Sequence, residues 1–380
     1  MASASKDGGT GPARLKVVQL TTVHGRSDVR VFHKQCRSLA ARGYDVTLVV
    51  QDGRGDESSA GVRIRDLGPP PAGRVRRILF SPWRAYRCLR RLPAAIVHFH
   101  DPELLPLGWL LKRGGRRVVY DAHEDVPRDI LAKHWVPAML RRVLSFSFEK
   151  LENFVAARLD AVVGATPYIA ARFRRIHPRA IDVSNYPILA EFTPAPPGRP
   201  FSRTLCYIGA ITRVRGISEL VESLARVGDA TLVMCGPFES GAYERELRAL
   251  AGWQLVDYRG VVGRDEALAI MTAAEIGVVT FLPAPNHMDA QPNKIFEYMA
   301  AGLPILASNF PLWRRIVEEN RCGICVDPAS PADIARGIGA LLSDEAGCRA
   351  MGRAGREAVA ARCHWLHEAE KLVQLYAELT

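Results

Sequence analysis

Lys294 and Glu297 stand three residues apart just behind Pro292, inside the stretch from Met288 to Pro304. That spacing makes them neighbours near the start of one helix. Pro292 suits the first turn, where backbone amides have no intrahelical partner. The free amides of Asn293, Lys294 and Ile295, the partial positive charge of the helix start and an ammonium then converge. Such a place attracts anions, and a diphosphate fits it. Glu297, one turn in, can accept hydrogen bonds from a sugar hydroxyl. Ile295, Phe296, Met299 and Ala300 recur at helical spacing toward a core, and Gly302 ends the helix.

Three further groups carry chemistry. The strand Arg117 to Tyr120 ends in Asp121-Ala122-His123-Glu124-Asp125. Four ionisable groups in five positions at a strand end are costly unless they act. Glu124 or Asp125 either binds a hydroxyl or caps the next helix. Before them, the strand Ala95 to Phe99 runs into His100, and alternation puts His98 and His100 on one face. Those two resemble the paired histidines of metal-dependent hydrolases. Later carboxylate and histidine ligands at strand ends are not apparent and no Asp-x-Asp occurs, so no metal is expected. His100 stands evenly between a packed loop residue and one facing a ligand. The third group is the turn Gly209-Ala210-Ile211-Thr212-Arg213-Val214-Arg215-Gly216 after the strand Leu205 to Ile208. Its glycines permit close backbone approach to a ligand, and a guanidinium grips phosphate through two hydrogen bonds.

Together with Gly302-Leu303-Pro304 and Ser308-Asn309-Phe310-Pro311-Leu312-Trp313, the Met288–Pro304 stretch resembles the donor-binding segment of retaining glycosyltransferases of GT-B fold, family 4 (group 1). The resemblance extends from Leu15 onward and is more specific in the second half. It implies two Rossmann-like, doubly wound parallel-sheet domains facing a cleft. It implies that Glu297 holds the donor ribose and that Asp289, eight residues earlier, holds the transferred sugar; the family usually has glutamate there. It places His123 against the same sugar, and Arg215 with Lys294 on the diphosphate. Gly209 lies where the family approaches the pyrophosphate. Ala210 replaces a common arginine, whose contact is absent or falls to Arg213. Backbone around Val262 borders the base, with Asn293 and Ile295 also on the donor side. His24, Arg30, His100, Glu124 and Asp125 are the acceptor-side candidates. No metal or cofactor is implied, the nucleotide sugar being a co-substrate. Rival readings are a nucleotide-sugar epimerase of the same fold and a degenerate binding subunit.

The elements that must position these groups alternate strand and helix, which argues for parallel α/β sheets. Leu15 to Leu20 is the first strand, and the loop Thr21–Asp28 after it lacks the spaced glycines of a dinucleotide fingerprint, which disfavours NAD. Val31 to Arg42 reads as the first helix. The expected organisation is a tail over 1–13, an acceptor domain over 14–190, a proline-rich linker over 191–200, a donor domain over 201–362, and a last helix over 363–380 that the family returns to the first domain.

The chain of 380 residues carries a net charge of +11 and eight scattered cysteines, of which only Cys322 and Cys325 are close. They are expected to be reduced and packed, in a cytoplasmic protein. No apolar run of about 18 residues suggests a transmembrane helix. Arg74 to Arg91 holds seven arginines and no acid, interleaved with Ile78, Leu79, Phe80, Trp83 and Tyr86. That pattern is either a solvated helix packed on a sheet or a surface for the inner face of an anionic membrane; a nucleic-acid motif is missing, so no nucleic acid is expected. Lys133 to Phe154 mixes the same residue types, and a half-buried helix is favoured there. The expected partners are a nucleotide-diphosphate sugar and an acceptor: a saccharide, a lipid-linked saccharide or a small secondary metabolite. Polysaccharide or glycoconjugate biosynthesis is the expected setting.

Overall fold

A computed structural model describes residues 14–132, 136–196, 198–284, 287–288 and 290–380. Contacts divide the chain into two compact units. The first runs up to Val126 and includes Phe146–Val183 and Ala369–Thr380; the second comprises Pro127–Ser145 and Ser184–Glu368.

The first unit is built on eight strands: β1 (Lys16–Leu20), β2 (Asp45–Val50), β3 (Glu57–Ser59), β4 (Val62–Asp66), β5 (Ile96–Phe99), β6 (Arg117–Ala122), β7 (Ala161–Gly164) and β8 (Ala180–Asp182). Their order is β3-β4-β2-β1-β5-β6-β7-β8, and all neighbours are parallel except β3 with β4. The central strands are nearly continuous apolar runs because helices cover both faces; Val97, Val118 and Val162 are fully buried. Strand order reverses between β1 and β5, and ligands of open α/β sheets bind beyond the carboxyl ends at such a point.

The second unit has β9 (Thr204–Ile208), β10 (Thr231–Cys235), β11 (Val256–Gly260), β12 (Ile276–Val279), β13 (Ile305–Ser308) and β14 (Gly323–Val326). They form an all-parallel sheet in the order β11-β10-β9-β12-β13-β14, which reverses between β9 and β12. Both sheets are thus doubly wound, as read from the alternation.

The first helix departs from a simple α-helix. Val29–Cys36 is π-helical and Arg37–Ala41 continues it as α. The Asp28 side chain caps it, accepting from the Val31 amide at 2.8 Å, and the Asp28 carbonyl accepts from both Phe32 and His33. The widened turn carries Arg30 and Gln35 inward, and one-turn widenings of this kind cluster at functional sites.

The basic helix is Arg74–Leu89, with Pro82 inside it. It buries Ser81, Ala85 and Leu89 while Leu79, Phe80 and Trp83 stay exposed. The second mixed helix spans Ala138–Ala156, and Met139 and Phe146 are exposed on it; Lys133 and Trp135 lie outside the described residues. Among the described residues no helix is long and apolar enough to cross a membrane. All eight cysteines are free, and Cys322 packs in the core.

Candidate active site

In the second unit, β9 ends at Gly209, whose φ of +152° favours glycine. A Cβ there would lie 2.5 Å from Lys294 Cε and 2.9 Å from Arg215 Nη1, so both cations close over bare backbone. Gly216, at φ +66°, lets the turn pass so near Thr280 that a Cβ would meet its carbonyl oxygen at 2.0 Å. Lys294 opens the helix Asn293–Ala301, which is anchored by apolar Ile295, Phe296 and Met299 and stopped by Gly302 in the left-handed region. Tyr298 of this helix bonds the Ile208 amide at 3.1 Å, fixing the end of β9 against it.

No carboxylate forms an ion pair with Arg215 or Lys294 among the described residues. Arg215 donates to the Ala210 carbonyl at 3.3 Å and stacks over Phe281. Burial pulls the Lys294 ammonium below its ordinary pKa; Glu297 opposes this and the charge of Arg215 adds to it. Two neighbouring cations with no carboxylate partner among the described residues form a site for a multiply charged anion.

Glu297 Oε1 accepts from Arg264 Nη1 at 2.7 Å, and Arg264 also grips Glu191 at 2.7 Å. Arg264 is a site residue that the motif reading missed; a guanidinium donor directly behind Gly263 was its only signal. Val262 packs at the border of the same core. Trp313 Nε1 donates to the Ala290 carbonyl at 2.7 Å, tying down the segment that precedes the helix. Asp289 itself lies outside the described residues.

Two donor-side expectations need correction. Ile295 is fully buried in the core and its amide donates to the Pro292 carbonyl at 3.1 Å, so it supports the helix rather than lining the site. Arg213 is drawn to Glu246 and the ring of Tyr243, and does not replace the arginine missing at Ala210. Asn293 is exposed at the helix start.

In the first unit, the ends of β1, β5 and β6 gather around Asp121, which is fully buried. Arg30 donates to it twice, Nη2 to Oδ1 at 2.7 Å and Nε to Oδ2 at 3.1 Å, and Gln35 donates at 2.6 Å. This compensation outweighs burial and holds the carboxyl well below its usual range, helped by His123 and His100. Arg30 is therefore a buried structural partner, not an acceptor contact. His100 is also buried, and Nδ1 lies 3.0 Å from Nε2 of His123, which remains partly exposed. His100 thus sits beneath His123 instead of facing a ligand.

His24 lies beside the same group, its ring centroid 4.9 Å from that of His123 and its Nδ1 3.2 Å from Asp28. Burial works to lower its pKa, but the Asp28 hydrogen bond and the charges of Asp101 and Asp28 outweigh it, and the pKa is raised. Asp125 pairs with Arg172 at 3.1 Å, while Glu124 is exposed.

His98, His100 and Asp121 each offer a ligand atom, all within 4.8 Å of one another. They do not suit a resident dication: Arg30 already compensates the carboxylate and would repel a second positive charge.

The family model described as Glycosyltransferase Family 4 matches residues 29–184, and that described as Glycosyl transferases group 1 matches residues 202–344. The chain is a family 4, group 1 glycosyltransferase.

The glycosyltransferase is 26% identical to the phosphatidyl-myo-inositol mannosyltransferase of Mycobacterium leprae, over 96% of its own length and 92% of that protein. It is 27% identical to the D-inositol 3-phosphate glycosyltransferase of Xylanimonas cellulosilytica, covering 75% of this chain and 72% of the other. Sucrose-phosphate synthase from Thermosynechococcus elongatus matches its structure with a TM-score of 0.77 at 18% identity, over 96% and 99% of the two chains. Anabaena HepE in complex with UDP and glucose matches with a TM-score of 0.69 at 14% identity, over 96% and 100%. The fold of this glycosyltransferase is GT-B.

Proposed function

We propose that this glycosyltransferase moves a hexose from a nucleotide-diphosphate sugar to an acceptor hydroxyl with retention of configuration. The observation that carries the reading is the pair Arg215 and Lys294, two cations with no counter-carboxylate among the described residues, closing over Gly209. They would hold the diphosphate and offset the charge that develops on it as it leaves, which lowers the barrier electrostatically and without a metal. Glu297 would accept from the ribose hydroxyls. His123 and Asp289 would orient the transferred sugar. With no side chain assigned as nucleophile, the leaving phosphate takes the acceptor's proton on the same face of the sugar.

The acceptor would be a hydroxyl of a polar lipid head group or lipid-linked saccharide. That class agrees with the mycobacterial relative, a phosphatidyl-myo-inositol mannosyltransferase, and with the exposed aromatic and basic helix Arg74–Leu89, which would rest on the inner membrane face.

Thermal-shift measurement with UDP-, GDP-, ADP- and dTDP-sugars, without metal, tests the donor site, since a ligand that favours the native state raises the melting temperature. One responder whose effect vanishes in Arg215→Ala supports the reading. Silence across the panel overturns it.

A further inference from the structure

The edge of the second sheet opposite Gly209 holds a cavity of about 320 Å³. Glu275 and Pro304 line it, and they stand where β12 and β13 begin. Open α/β sheets bind their main ligands at the other, carboxyl edge, so this cavity is separate from the site built by Arg215 and Lys294. The helix Asn293–Ala301 joins the two edges: Lys294 is at its start, and Ala301 and Gly302 line the cavity at its end.

Arg349, Arg353 and Arg356 reach the cavity from the helix Glu345–Arg362. Spacings of four and three put them along one helical face. Glycine brings that helix close to its neighbour. A Cβ at Gly352 would lie 2.0 Å from the Gly302 carbonyl oxygen, and one at Gly355 would lie 3.4 Å from Met299 Cγ. Arg199 enters from the segment before β9. Glu275 is the one acid among the described lining residues, and Arg199 pairs with it at 2.7 Å.

Satisfying the carbonyls at the end of Asn293–Ala301 occupies little of this cluster. The Gly302 amide donates to the Met299 carbonyl at 3.0 Å, and the Leu303 amide to the Tyr298 carbonyl at 2.9 Å. Arg356 Nη1 donates to the Ala300 carbonyl. Arg349 is held by Glu345 at 2.9 Å and by the Arg199 carbonyl. Arg353 makes no hydrogen bond or ion pair among the described residues, and Arg356 has no carboxylate there. Arg199 Nε is buried and lacks a partner among them. Donors and positive charge are both in excess, and a buried donor left unpaired calls for an acceptor.

We propose that this cavity binds a small phosphomonoester, its phosphate held by Arg353 and Arg356 and its body resting on Leu303 and Pro304. A guanidinium fork matches phosphate oxygens two at a time. Pro194 and Pro196 extend the apolar lining, which favours an ester over a bare ion. A volume of this size suits a small molecule.

Isothermal titration of the full chain with glucose 6-phosphate, inorganic phosphate and glucose, at fixed salt, tests the proposal. Glucose 6-phosphate should bind, inorganic phosphate at least about fivefold more weakly for want of apolar contact, and glucose not at all. Arg353→Gln, at an exposed position, should weaken the ester about tenfold. Adding Arg356→Gln, which keeps a donor for the Ala300 carbonyl, should abolish its binding. Lys294→Met should leave the ester's affinity within about twofold, because it lies at the far end of the helix. The proposal is overturned by no heat from glucose 6-phosphate, by inorganic phosphate binding as tightly as the ester, or by binding that Lys294→Met removes and the arginine variants retain. None of these outcomes depends on the proposed function.

Discussion

Arg264 Nη1 lies 2.7 Å from Glu297 Oε1, and the same guanidinium holds Glu191, so the carboxylate at the helix start is set in place before any ribose arrives. This predicts unequal effects. Glu297→Ala should remove most turnover, by at least about a hundredfold, without unfolding the chain. Arg264→Ala should leave kcat near normal and raise the donor KM by about fivefold, since a partly exposed pair contributes only ~1 kcal/mol to holding the carboxylate. Steady-state kinetics on both variants decide this, and near-normal activity in Glu297→Ala would sink its assignment.

Lys294 links stability to function with a definite sign. Its ammonium is partly buried, without a carboxylate partner among the described residues, and its pKa is lowered chiefly by burial. A lysine whose folded pKa lies below its unfolded value destabilises the native state while protonated, and that penalty fades as pH rises toward the unfolded value. Lys294→Met should therefore raise the melting temperature without ligand by about 2–4 °C near neutral pH. The gain should shrink as the pH rises, and the variant should lose the donor-induced shift. Scanning calorimetry across pH checks the sign; a lower melting temperature for the variant would contradict it.

How much of this was legible before folding depended on where each partner sat in the chain. The alternation of elements exposed both sheets, and Lys294 with Glu297 could be paired because helix geometry relates residues three apart. Asp121 was visible only as one of four ionisable groups. Its partners Arg30 and Gln35 lie far back in the chain and reach it because β1, β5 and β6 are neighbours in the sheet and the first helix widens. Gln19 and Tyr376 are 357 positions apart, joined by the last helix, and no local pattern relates them. Arg30 and His100 were read toward ligands for the same reason: polarity beyond a strand end, or in the segment that follows it, shows that a group needs a partner, not which partner it has. A polar residue inside an apolar strand, as at Gln19, was the one local sign of that buried contact.

His24 predicts an opposite pH dependence to that of Lys294. Its pKa is raised from 6.5, where burial opposes and the carboxylates of Asp28 and Asp101 prevail. A histidine with a raised folded pKa contributes stability that is fully present below the unfolded value and is lost as pH rises through the folded value. The native chain should thus lose part of its stability as pH climbs above 6.5. His24→Gln should flatten that slope while keeping the Asp28 cap on the Val31 amide. Melting temperature against pH for the two proteins reads the difference, and parallel curves would rule out the pair as its source.

The helix Arg74–Leu89 makes a surface prediction. Phe80 and Trp83 are 53% and 58% exposed, and with Arg76, Arg84 and Arg87 they line an open groove of about 500 Å³. A helix that fully buries Ser81, Ala85 and Leu89 but leaves Leu79, Phe80 and Trp83 exposed keeps large apolar groups beside its charges. Aromatic rings that enter the head-group layer and arginines worth about 1 kcal/mol each near an anionic surface would act together. Co-sedimentation with vesicles containing phosphatidylserine should therefore retain the protein, while vesicles of phosphatidylcholine alone should not. The double substitution Phe80→Ala and Trp83→Ala should weaken the partition roughly tenfold, through lost apolar burial. Raising the salt should weaken it in both proteins, because screening acts on the arginines. Equal binding to charged and neutral vesicles, or none to either, would leave the helix a solvated face.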